Sequence, residues 1–178
     1  MPTSSSQDHY TRRIGKGMVV AAWVMGLALL TLFFNNYLEN QRNPNQKVHS
    51  VVGSDGVREV ILKRNPFGHY LAKGTINGRS VEFMIDTGAS DVSIPVRLAR
   101  RLALKRGRPV QYQTANGMIT AYQTTIEKLT LGDIMLTNVP ASINPGAQGL
   151  AILLGMSVLK RIEFTQKGDT LILRQAPD

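Results

Sequence analysis

None of the 178 residues is cysteine, which excludes disulfide frameworks, thiolate metal sites and cysteine nucleophiles together. Histidine is scarce as well. His9, His49 and His69 are scattered and no cluster of carboxylates accompanies them, so no metal site is expected. Aromatic residues make up 6% of the chain, too few to interleave with basic side chains as a nucleic-acid stacking platform requires. Ser157 follows Gly155-Met156 without the second glycine of a nucleophile elbow, which sets a serine hydrolase aside. Negative charge is in deficit too: 12 Asp and Glu stand against 21 Lys and Arg, a formal charge of +9. Such a surface gathers polyanions. The densest basic stretch, Arg97, Arg100, Arg101, Lys105, Arg106 and Arg108, nevertheless reads as a solvated helix face and loop. No cofactor and no nucleic-acid partner are implied.

What is present divides the chain. Residues 1–17 form a polar tail carrying Arg12, Arg13 and Lys16, after which Met18 to Phe34 has no charge at all. At 1.5 Å per residue that run reaches about 25 Å, and Tyr37 and Leu38 extend it toward a hydrocarbon core of about 30 Å. A single transmembrane helix is expected over residues 18–38. Asn35-Asn36-Tyr37-Leu38-Glu39 follows it where a cleaved signal would have small residues, so the helix is expected to stay attached. The basic residues ahead of it favour a cytoplasmic N-terminus, with the rest of the chain in the periplasm beyond an inner membrane. Residues 39–50, mostly Asn, Gln, Pro and Arg, read as a solvated linker. Residues 51–178 suit one compact domain.

That domain is predicted to be mainly β. Val57 to Arg64 is rich in apolar and β-branched residues and stops at Asn65-Pro66-Phe67-Gly68, a strand and a turn. His69 to Ile76 and Arg79 to Asp86 flank Asn77-Gly78, the dipeptide best suited to a two-residue hairpin because both positions tolerate positive φ. Val110 to Gln113 and Ile119 to Thr125 flank Asn116-Gly117 in the same way, Ile126 to Leu131 and Ile134 to Val139 flank Gly132-Asp133, and Glu163 to Leu173 turns at Lys167-Gly168-Asp169. Between them Ser93-Ile94-Pro95 is expected to start a short helix, with Ser93 as its cap and Leu98 and Leu102 facing inward.

Asp86 ends an apolar strand and opens Asp86-Thr87-Gly88, followed by Ala89 and Ser90, and Ile152-Leu153-Leu154-Gly155 lies downstream. This combination resembles the retropepsin-like aspartic proteases, including their bacterial membrane-anchored forms, over roughly Val57 to Arg174. The resemblance implies a closed acid-protease β-barrel with one short helix, preceded by the membrane helix. It implies that Asp86 is the catalytic acid, that Thr87, Gly88 and Ala89 form the active-site loop, and that Asn116, Gly117 and Met118 form a substrate-covering flap. Leu153, Leu154 and Gly155 would pack beneath the loop, with a short helix over Met156 to Arg161.

Two carboxylates about 3 Å apart cannot both ionise; they share a proton, so one activates water while the other protonates the substrate carbonyl. The chain holds one such Asp and is too short for a second lobe, so the resemblance implies a homodimer acting on a protein or peptide. The alternative is a module that keeps the fold and binds a peptide or partner without turnover. Retroviral members pair an Arg after the last Gly with an Asp two residues after the first; here those positions are Met156 and Ser90.

Overall fold

The computed structural model describes residues 5–114, 117–147 and 149–177. They form two compact units, 1–40 and 41–178. The first unit holds nearly all of helix α1, Ser5–Arg42, which begins inside the stretch expected as a polar tail. Its apolar side chains from Met18 to Leu38, Trp23, Phe33 and Phe34 among them, are exposed. Within it, Gly17–Arg42 is long and apolar enough to cross a membrane.

In the second unit, strands β1 (His49–Val52), β2 (Arg58–Lys63), β11 (Thr170–Gln175) and β10 (Glu163–Lys167) lie side by side as an antiparallel sheet. The other strands are β3 (Tyr70–Ile76), β4 (Arg79–Ile85), β5 (Val92–Pro95), β6 (Pro109–Thr114), β7 (Gly117–Leu131), β8 (Ile134–Asn144) and β9 (Ala151–Leu154). They follow the order β3-β4-β9-β5-β8-β7-β6, and β3 also pairs with β7. That last pairing, Thr75 with Thr130 and Ile76 with Leu129, closes six strands into a barrel and leaves β6 outside it. The Thr75 and Thr130 hydroxyls bond at the seam, 2.7 Å apart. The expected closed, mainly β domain is therefore present.

One core joins both sheets: Val60, Leu62 and Leu173 from the first pack with Phe83, Leu129, Ile134, Ile152 and Leu154 from the barrel. The period of two in β4 places Val81 and Phe83 inside. Asn77 and Gly78 have φ of 49° and 78°, the paired positive values of a tight hairpin. Ile119–Leu131 is not two strands, as the sequence indicated, but part of the single 15-residue β7, which serves two hairpins. The expected helix start also differs. Ser93 and Pro95 belong to β5, parallel to β8, and α2 is Val96–Arg101 with Pro95 at its N-cap and no side-chain capping bond. Leu98 and Leu102 do face inward.

The segment 39–50 is not the free linker that its composition indicated. α1 runs through Arg42, and Asn43 and Asn45 are buried. The Asn45 amide donates to the carbonyls of Lys63 at 2.9 Å and Leu71 at 2.7 Å and accepts from the Lys63 amide at 2.8 Å. Asn43 donates to Glu82 at 2.8 Å, and its own side-chain oxygen accepts from the Asn45 amide at 2.9 Å. A polar stretch can thus be structural when its amides substitute for a missing strand neighbour. Asn45→Ala removes the side-chain partner of three backbone groups, one buried and two part-buried, and is expected to cost about 2–3 kcal/mol in urea unfolding; a loss below about 1 kcal/mol would contradict this role.

After β9, Gly155 caps α3 (Met156–Leu159). A Cβ at this glycine would overlap the carbonyl oxygens of Ala89 and Asp91. Because both are backbone atoms, Gly155→Ala is expected to lower the unfolding midpoint by an amount equivalent to about 2–3 kcal/mol. Thermal denaturation checks this, and wild-type stability would show that the loop yields freely.

Candidate active site

β4 ends at Ile85, and the chain turns at Asp86 between two fixed segments. The Asp86 amide donates to the Leu154 carbonyl at 3.1 Å, extending the parallel β4–β9 pairing by one step. The turn then closes on its own side chain: the Gly88 amide donates to Asp86 Oδ1 at 2.9 Å and the Ala89 amide to the Asp86 carbonyl at 3.2 Å. An N–H aimed at a carboxylate oxygen fixes its orientation. Asp86 is half-buried, and Thr87 and Gly88 are exposed. The loop thus presents an oriented carboxyl group at the surface.

Its support comes from the segment predicted to provide it. Leu153 pairs with Met84, and Leu154 with Ile85. Beyond them Met156 donates from its amide to the Ala89 carbonyl at 2.8 Å and Ser157 to the Ser90 carbonyl at 3.0 Å. The two positions that lack the retroviral Arg and Asp side chains, Met156 and Ser90, are each tied by backbone to the opposite segment, Met156 to Ala89 and Ser90 to Ser157. The Ser157 hydroxyl is spent on the Pro140 carbonyl, 3.1 Å away, as befits a structural serine.

A cavity of about 340 Å3 opens over the loop, lined by Asp86, Gly88, Ala89 and Leu153 on one side and by Tyr112, Gln113 and Ile119 from the β6–β7 hairpin on another. The hairpin expected as a flap therefore borders the site. Its proposed contact residues fare differently. Asn116 lies outside the described residues. Gly117 is a strand residue paired with Thr114, and Met118 is 58% exposed; neither lines the cavity.

Sequence reasoning missed a polar group on the far wall. Asp91 accepts hydrogen bonds from the Tyr112 hydroxyl at 2.7 Å and from the Ser142 hydroxyl at 3.1 Å. Burial first, and then the bond to Asp91 and its charge, push the Tyr112 hydroxyl up to about 12. The signal available was an acid one position past the retroviral one. Nothing local indicated its partners, which arrive from β6 and β8. Asp91 and Tyr112 also line a second cavity of about 760 Å3 that does not reach Asp86. Arg106, in its wall, stacks 3.2 Å from the centre of the Tyr122 ring, and the other residues of the basic stretch are exposed as expected.

Comparison with known proteins places this geometry. The family described as "gag-polyprotein putative aspartyl protease" matches residues 72–161, which run from β3 past α3 and include the loop, the hairpin and Gly155. The chain is 28% identical to the "Uncharacterized protein in cobV 5'region" of Sinorhizobium sp, over 91% of this chain and 75% of that one. It is 33% identical to "Uncharacterized protein RP867" of Rickettsia prowazekii (strain Madrid E), over 67% of this chain and 53% of that one, so it spans about half of that relative's length. Among solved structures it resembles the crystal structure of a retropepsin-like aspartic protease from Rickettsia conorii, with a TM-score of 0.58 and 32% identity over 72% of this chain and 96% of that one. With its barrel, its Asp86 loop and the β9–α3 segment beneath it, the chain belongs to the retropepsin-like aspartic protease family.

Proposed function

We propose that this protein is a membrane-anchored aspartic endopeptidase whose catalytic dyad is Asp86 and the same residue of a second copy. The observation that carries the reading is the oriented, half-exposed Asp86 carboxyl on a cavity bordered by the hairpin. One carboxylate accepts a proton from water as its oxygen attacks the peptide carbonyl, while the other, protonated, donates to the carbonyl oxygen. Collapse of the tetrahedral intermediate breaks the C–N bond, and the leaving nitrogen takes up a proton. A single Asp cannot be both base and acid in one step. The chain carries one Asp-Thr-Gly, so twofold symmetry supplies the partner. The exposure of Thr87 and Gly88 supports a loop that meets its counterpart, with the Thr87 hydroxyl bonding across the axis. Gln113, Ile119 and Tyr112 would cover a peptide.

The anchor is α1. At 1.5 Å per residue, the 26 residues of Gly17–Arg42 span about 39 Å, enough for a hydrocarbon core of about 30 Å with tilt. Arg12, Arg13 and Lys16 ahead of the span support a cytoplasmic N-terminus and a periplasmic catalytic domain.

The full-length chain in detergent micelles, incubated with a peptide library, is expected to cleave it, and Asp86→Asn to lower the rate at least about a thousand-fold with folding intact. Rate per subunit should also fall on dilution, because the site is assembled by association. Cleavage that survives in Asp86→Asn, or a rate per subunit independent of concentration, would overturn the reading.

A further inference from the structure

Asp91 is the second carboxylate of the cavity, and the proposed hydrolysis leaves it without a task. Its backbone is held in place: Val92 begins β5, and the Asp91 carbonyl lies against Gly155. Its two oxygens point to different elements, one taking the Tyr112 hydroxyl of β6 and the other the Ser142 hydroxyl of β8. Ser142 is in register with Ser93 across the β5–β8 pairing, so the hydroxyl that orients the carboxylate stands on the barrel wall. β6 has no such backing. Among the described residues its strand neighbour is β7, and Tyr112 ties it by a side-chain hydrogen bond to Asp91.

We propose that Tyr112 and Asp91 form a latch that holds β6 over the Asp86 cavity, with Ser142 orienting the carboxylate. They are positioning residues for substrate binding, and this role rests on the reading of Asp86 as the catalytic acid. A hydroxyl bound to a carboxylate is stronger than a neutral pair, and this one is half-buried. The bridge also separates the cavity that holds Asp86 from its larger neighbour, since Tyr112 and Asp91 line both. Holding the strand down therefore also sets the end wall of the site. The latch joins the loop that carries Asp86 to the hairpin above it, since Asp86 and Asp91 are five positions apart in sequence.

Hydrogen exchange of the full-length chain in detergent micelles tests this apart from catalysis, in an Asp86→Asn background. Tyr112→Phe keeps the ring and removes the hydroxyl. Amides of Val110 to Gln113 are expected to exchange about ten-fold faster, while those of β3 and β4 stay unchanged. Asp91→Ala should do the same, the double variant should add nothing, and Asp91→Asn, which keeps an acceptor, should restore most of the protection. In the active protein Tyr112→Phe should raise KM about ten-fold with kcat within about two-fold. Unchanged exchange in β6, additive effects in the double variant, or acceleration throughout the barrel would overturn the latch. If the wild type cleaves nothing, the reading of Asp86 fails, and exchange still decides the latch.

Discussion

The site depends on the close approach of Gly155 to the backbone of residues 89–91. Where most residues would place a Cβ, two carbonyl oxygens sit instead, and the next two amides donate to Ala89 and Ser90. These contacts turn a surface loop into an extension of the barrel. Without them, the bond from Gly88 to the Asp86 carboxylate would fix the side chain only relative to its own turn. With them, the carboxylate is referenced to β9, and through β9 to the core residues Ile152, Leu154 and Phe83. Precise placement of an acid needs such a rigid reference, since small displacements weaken both its hydrogen bonds and its reach to substrate.

The same joint explains how the chain does without the retroviral side-chain pair. An Arg–carboxylate bridge ties the loop to the following helix by charge; here Met156 and Ser90 occupy those places, and main-chain bonds carry the tie. An acid stands one position later. The Asp91 carboxylate bonds to β6 and β8, not to the segment that follows β9. Backbone ties make no demand on side-chain identity, which leaves that acid free for a different contact.

Much of this was legible in the sequence because hairpins are written locally. Asn77-Gly78 fixed one turn, Gly132 and Gly168 two more, each at positive φ, and the alternation in Arg79–Ile85 placed Asp86 at a strand end. The resemblance carried by Asp86-Thr87-Gly88 and Leu153-Leu154-Gly155 implied the packing of the second segment beneath the first. What was not legible depended on distant partners. Asn43 and Asn45 looked like linker because polar amides carry no hydrophobic signal, yet their partners lie in β2, β3 and β4. Ser93-Ile94-Pro95 looked like a helix start because β8, which makes it a strand, comes some fifty residues later. Tyr112, Asp91 and Ser142 meet through tertiary structure alone.

The proposed hydrolysis makes the Asp86 carboxylate half of an acid–base pair, and the rest of that proposal follows from how the half is completed. Mixing tests this directly. Wild-type chain held at fixed concentration is equilibrated with a nine-fold excess of Asp86→Asn, above the concentration at which subunits associate. If each site draws one Asp86 from each of two chains, most wild-type subunits sit in mixed pairs and cleavage falls to about a tenth. Cleavage that stays at the wild-type level in the presence of the excess would contradict a shared dyad.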